Sequence, residues 1–129
     1  MSNKIVKSRL AAYKAQKGLC YYCHFPMWLN NLKEFSVLHH ISKSQAKRFQ
    51  CTAEHLVARQ DGGEDGRGNI VAACLFCNGA RHRRPLPLEP DVYSSLVRKR
   101  IRRLKWHPRE LHQYLNSQKL PGTFGRFND

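Results

Sequence analysis

Residues 52–81 read TAEHLVARQDGGEDGRGNIVAACLFCNGAR, and their pattern sets the fold. TAEHLV (52–57) has the length and composition of a short strand, and IVAA (70–73) supplies a second. Between them, QDGGEDGRG (60–68) holds four glycines and must be a loop, so the two runs pair as a long-looped hairpin. LFCNGARHRR (75–84) then reads as a helix, closed by Pro85 and Pro87. Strand, strand and helix in immediate succession predict a small α+β unit.

Outward from this core, residues 3–17 predict a basic amphipathic helix. Ser2 or Asn3 can cap it, Val6, Leu10 and Tyr13 share a face, and Gly18 stops it. The Trp-, Leu- and Asn-rich stretch to about residue 35 carries no clear periodicity, while Ser42 can open a short helix over 42–50. Residues 91–104 predict a strong helix. Its apolar face is Val92 or Tyr93, Leu96 or Val97, Ile101 and Leu104, and arginines and lysines load the rest. A last short helix is expected over 109–117, ahead of a loose tail.

Twenty-three Lys and Arg against nine Asp and Glu give a net charge of +14, a surface that attracts polyanions. Nucleic acid is the commonest partner for such a surface. No apolar run approaches the ~20 residues that span a bilayer, so no membrane role is expected. The N-terminal segment lacks a signal-peptide core, which predicts an intracellular, cytoplasmic protein. The chain of 129 residues is expected to form one domain, 1–129, with a core at about 20–84.

Four of the five cysteines form two matching pairs, Cys20-x-x-Cys23 and Cys74-x-x-Cys77. Each turn brings two thiolates to about one tetrahedral edge, and two turns complete a closed structural Zn²⁺ site. A redox dithiol is the competing reading, but no βαβ context surrounds either pair. Cys51 stands apart and reads as a small buried hydrophobe.

With Glu54-His55, the glycine loop, Asn69 before the second strand, the second Cys pair and Asn78, residues 20–84 resemble the zinc-bound subgroup of the HNH nuclease family. The resemblance implies a ββα-metal core with the structural zinc, flanked by basic helices. It also implies phosphodiester hydrolysis of DNA, most simply double-stranded. His55 would be the general base, since a neutral imidazole can take a proton from water. Glu54 and Asn78 would hold a catalytic divalent ion, Asn69 would fix the hairpin loop and so His55, and Arg81 would bind phosphate. Asn78 stands where the family often has His, and Glu54 where it more often has Asp or His. An all-oxygen pair favours Mg²⁺ or Mn²⁺, with Ni²⁺ the alternative ion.

His82, Arg83 and Arg84 at the end of the helix, and Arg98 and Arg102 on the next, are the remaining candidates for nucleic-acid contact. His24, His39, His40, His107 and His112 show no ligand spacing, and Trp106 is expected to pack rather than stack on a base. Two other functions fit the same residues: a non-catalytic zinc module that only binds DNA, and a nuclease directed at RNA. A chain with no separate specificity module could take its target from a partner protein.

Overall fold

The computed structural model describes residues 3–112. Ser2, most of the expected 109–117 helix and the tail lie outside the described residues; 109–112 are helical. In chain order the elements are α1 (Asn3–Ala15), α2 (Leu32–Leu38), α3 (Lys43–Ala46), β1 (Cys51–His55), β2 (Ile70–Cys74), α4 (Leu75–His82) and α5 (Pro90–Arg102). Single 3-10 turns at Lys47–Phe49 and Arg59–Asp61 lead into β1 and begin the glycine loop. No helix among the described residues is long and apolar enough to cross a membrane.

β1 and β2 pair antiparallel, with Cys51 opposite Cys74, Ala53 opposite Ala72 and His55 opposite Ile70. α4 starts directly where β2 ends, which gives the ββα order expected from residues 52–84. The helix predicted over 42–50 is split. Ser42 caps α3 with a complete capping box to Gln45, and the chain tightens into the 3-10 turn before Gln50 extends. α2 begins within the stretch that shows no periodicity and runs past it to Leu38, and Asn31 caps it by accepting from the Glu34 amide.

α1 lies across the sheet, but on a different face from the one predicted. Ile5 and Ser8 are buried, whereas Val6 and Leu10 are 37% and 38% exposed. The buried face is tied to a distant part of the chain by a hydrogen bond that helical periodicity does not show. On that face Ser8 donates to the Asp65 carbonyl at 2.8 Å. Immediately after α1, Gln16 finishes the edge of β2: its Nε2 donates to Ala72 O (2.8 Å) and its Oε1 accepts from Ala72 N (2.9 Å). Tyr21 N also donates to the Ala72 carbonyl (2.9 Å), so it is the buried Ala72 amide that depends on Gln16.

α5 packs through Tyr93 and Val97, with Leu96 and Ile101 partly covered and Val92 exposed. The main core gathers Tyr22, Phe25, Phe49, Tyr93 and Leu111 around the four paired cysteines. His107 and His112 belong to it. His112 Nε2 accepts from the backbone amides of Trp106 (3.3 Å) and His107 (2.7 Å), and both rings meet Phe25.

Gln16→Ala removes the partner of a buried amide and is expected to cost about 1–3 kcal/mol. Val6→Ala, at the half-exposed position, is expected to cost under about 1 kcal/mol. Urea unfolding of the zinc-loaded protein compares them; the opposite ranking would contradict this packing.

Candidate active site and metal centre

The side chains of Cys20, Cys23, Cys74 and Cys77 are buried, and their Sγ atoms all lie within 4.8 Å of one another. Four sulfurs at about 2.3 Å from a tetrahedral zinc sit roughly 3.8 Å apart, and Cys23 Sγ lies 3.9 Å from Cys74 Sγ. Donors already face the sulfurs. Tyr22 N and Cys74 N approach Cys20 Sγ at 3.4 and 3.3 Å, and Cys77 N approaches Cys74 Sγ at 3.4 Å. Trp106 Nε1 donates to Cys77 Sγ at 3.2 Å, so this ring packs against the centre.

Burial opposes ionisation of Cys20, but hydrogen bonds from Cys23, Cys74 and Cys77 outweigh it and hold that thiol well below its ordinary range. Burial first, and hydrogen bonds to neighbouring sulfurs second, push Cys23 and Cys77 up. A dication resolves this conflict by replacing the thiol protons. Arg48, stacked 3.8 Å over Phe76, has its pKa pushed down by burial, against which the charges of Cys74, Cys77 and Cys23 pull, so it lies close enough to feel the cysteine cluster. The donor set and its spacing therefore fit structural zinc.

Cys51 is buried and outside the cluster, and burial pushes its thiol up to about 12 against the pull of Arg9. An aromatic disulfide reagent at mild alkaline pH is thus expected to find no fast thiol in the zinc-loaded protein. Chelator with denaturant should release all five, together with one zinc per chain by atomic spectroscopy. Four fast thiols without chelator, or a reversible disulfide in metal-free protein, would contradict the centre.

The second constellation lies at the other end of the hairpin. Ala53, Glu54, His55, Ala58, Arg59, Gln60, Asn78 and His82 line an open cleft of about 550 Å³. Glu54 is fully buried, and both of its oxygens are engaged. Oε2 accepts from Tyr22 OH at 2.8 Å and from Arg81 Nη1 at 2.9 Å, while His82 Nε2 lies 2.8 Å from Oε1. Burial, followed by the charge and hydrogen bond of Glu54, drives the Tyr22 phenol far above its usual range, so it remains a donor.

Asn78, on the first turns of α4, donates from Nδ2 to Thr52 Oγ1 (3.0 Å) and Ala53 O (3.3 Å), which leaves Oδ1 as the atom it can offer a cation. His82 follows at i+4 and shares that face of the helix. The structure thus brings Glu54, His55 and Asn78 into one cleft, and adds His82.

Arg81 does not take the place expected of it. It is 5% exposed, with Nε on Leu88 O (2.9 Å) and Nη1 shared between Glu54 and His55 O. It is the counter-ion of a buried carboxylate and is not presented to phosphate; one turn of helix from Asn78 points it inward. His82, expected among the phosphate contacts, is instead directed at Glu54. Arg83, Arg98 and Arg102 are exposed and Arg84 half-buried; Arg98 Nη2 meets His24 Nε2 at 2.7 Å, beside the first cysteine turn.

Asn69 clamps the loop. Its Oδ1 accepts from Val57 N (2.8 Å), and its Nδ2 donates to Val57 O (2.9 Å) and Glu64 O (2.8 Å). Gly63 is required there, since a Cβ would fall 1.7 Å from Val57 O. Two residues escaped the sequence reasoning: Tyr22, hidden inside the first cysteine turn, and Asp65, one of several polar residues in the glycine loop. Asp65 Oδ1 lies 2.9 Å from His55 Nε2.

Residues 42–84 match the family model for HNH endonucleases, and none of the curated proteins matches the chain. The matched segment runs from the cap of α3 through the hairpin to just beyond α4 and holds every residue that lines the cleft, while Tyr22, which holds Glu54 from behind, precedes it. Residues 42–84 are thus similar to an HNH endonuclease domain, and the buried four-cysteine cluster fits the zinc-binding subgroup of that family.

Proposed function

We propose that the protein is a metal-dependent endonuclease that hydrolyses phosphodiester bonds in double-stranded DNA, with residues 1–129 working as one domain. The observation that carries this reading is the convergence of Glu54, His55, Asn78 and His82 on one cleft inside the matched segment. Glu54 Oε1 and His82 Nε2, 2.8 Å apart, have about the separation of neighbouring ligands on an octahedral ion. With Asn78 Oδ1 they would hold a divalent ion. Two oxygens suit Mg²⁺ or Mn²⁺, and the added imidazole moves the preference towards Mn²⁺ or Ni²⁺. When bound, such an ion stabilises the charge that develops on the phosphate oxygens.

The chain's own groups do the rest. His55 takes the proton of the attacking water. Asn69 keeps the loop closed around it. Arg59, 61% exposed at the rim, carries the guanidinium that can reach a phosphate oxygen, the role Arg81 cannot fill. Arg83, Arg84, Arg98 and Arg102 add sequence-independent attraction for the backbone, in keeping with a net charge of +14. Target choice would then come from a partner protein or be weak.

Supercoiled plasmid incubated with the zinc-loaded protein should be nicked or linearised in Mn²⁺, Mg²⁺ or Ni²⁺ and stay intact in EDTA. His55→Ala should lower the rate by roughly 10²–10⁴-fold. Cutting that survives His55→Ala would refute the role of His55. Binding without cutting would leave a zinc-stabilised DNA-binding module, and cutting of RNA alone would change the substrate.

A further inference from the structure

We propose that Asp65 is the positioning residue of His55: its carboxylate accepts the Nε2–H of the imidazole and leaves Nδ1 as the nitrogen that takes the proton. The inference rests on the nuclease reading of the cleft and extends it to a loop residue.

Three observations carry it. The Oδ1–Nε2 distance is 2.9 Å, within hydrogen-bond range. Asp65 is held as an anion, because the hydrogen bond to His55 and then the Arg59 guanidinium keep its carboxyl below the usual carboxylate range. A carboxylate only accepts, so the nitrogen facing it must be the protonated one. Third, Asp65 is fixed although it sits in a loop. Arg59 reaches it with Nε on Oδ1 (3.1 Å) and Nη2 on Oδ2 (3.3 Å), and Ser8 of α1 donates to its backbone carbonyl at 2.8 Å. On either side, Asn69 binds Glu64 O, and Asn69 N donates to Gly66 O at 3.0 Å.

The neighbouring Glu54 does not compete for the ring, because its oxygens are taken by Tyr22, Arg81 and His82. The contact therefore sets both the tautomer and the orientation of His55.

In the reaction, Nδ1 takes a proton from water as the water oxygen forms the new P–O bond. The bond from phosphorus to the leaving sugar oxygen breaks with its electron pair, and that oxygen takes a proton from solvent. The imidazolium that results carries its charge beside the Asp65 carboxylate, and then returns its proton to solvent.

The test combines a spectrum with kinetics. Zinc-loaded protein labelled with ¹⁵N-histidine, with no other divalent ion added, is compared as wild type, Asp65→Ala and Asp65→Asn; His55→Ala assigns the resonance. Wild type should show His55 as the Nε2–H tautomer, Asp65→Asn should keep it, and Asp65→Ala should show mixed tautomers. On plasmid, Asp65→Ala should lose on the order of 10²-fold in kcat at little change in KM, and Asp65→Asn should recover part of it. An unchanged tautomer, or a loss confined to KM, would overturn the proposal. A wild type with the expected spectrum that cuts no nucleic acid would instead overturn the nuclease reading and, with it, the catalytic meaning of the contact.

Discussion

Everything in this fold hangs on the four-thiolate centre. Two of its sulfurs come from the turn that follows α1, and two from the junction where β2 becomes α4. A chain this small buries limited surface, so a cross-link across fifty intervening residues contributes much of what fixes its topology. The backbone amides of Tyr22, Cys74 and Cys77, the Trp106 indole and the Arg48 guanidinium are arranged around that charge. Tyr93 seals the other side by donating to Cys77 O at 2.6 Å, which docks α5.

The same cross-link organises one wall of the cleft. Tyr22 lies between two of the cysteines and holds Glu54; Arg81 and His82, on the helix that Cys74 and Cys77 start, hold the same carboxylate. A buried carboxylate is costly unless its oxygens are paired, and removing one partner of such a pair costs about 3–5 kcal/mol. That cost explains why Arg81 is spent inside the protein. The opposite wall depends on the loop, where Asn69, Ser8 and Arg59 set the place of Asp65 and so of His55. One wall is tied to the four-cysteine cluster and the other to the hairpin loop.

How much of this could be read in advance follows from the range of each interaction. The cysteine pairs, the hairpin and α4 depend on local spacing and turn chemistry, and they are legible in residues 20–84. Glu54, His55 and Asn78 meet because β1 pairs with β2, the strand that runs straight into α4. The rest depends on contacts between distant segments. The buried face of α1 carries Ile5 and Ser8 rather than Val6 and Leu10, and Ser8 is tied to the Asp65 carbonyl, 57 residues away in the chain. The inward turn of Arg81 could not be seen without Tyr22 beside the same oxygen, and Asp65 is indistinguishable in sequence from Asp61 or Glu64 until the loop is closed.

The cysteine turn positions, through Tyr22, the Glu54 carboxylate proposed to hold a divalent ion. Electron paramagnetic resonance titration of Mn²⁺ into zinc-loaded protein tests it most directly, comparing wild type with Tyr22→Phe. The account predicts one Mn²⁺ site per chain in wild type, weakened roughly 10-fold or more in Tyr22→Phe while the zinc content stays at one per chain. Equal Mn²⁺ affinity in the two proteins, or no Mn²⁺ site in wild type, would contradict it.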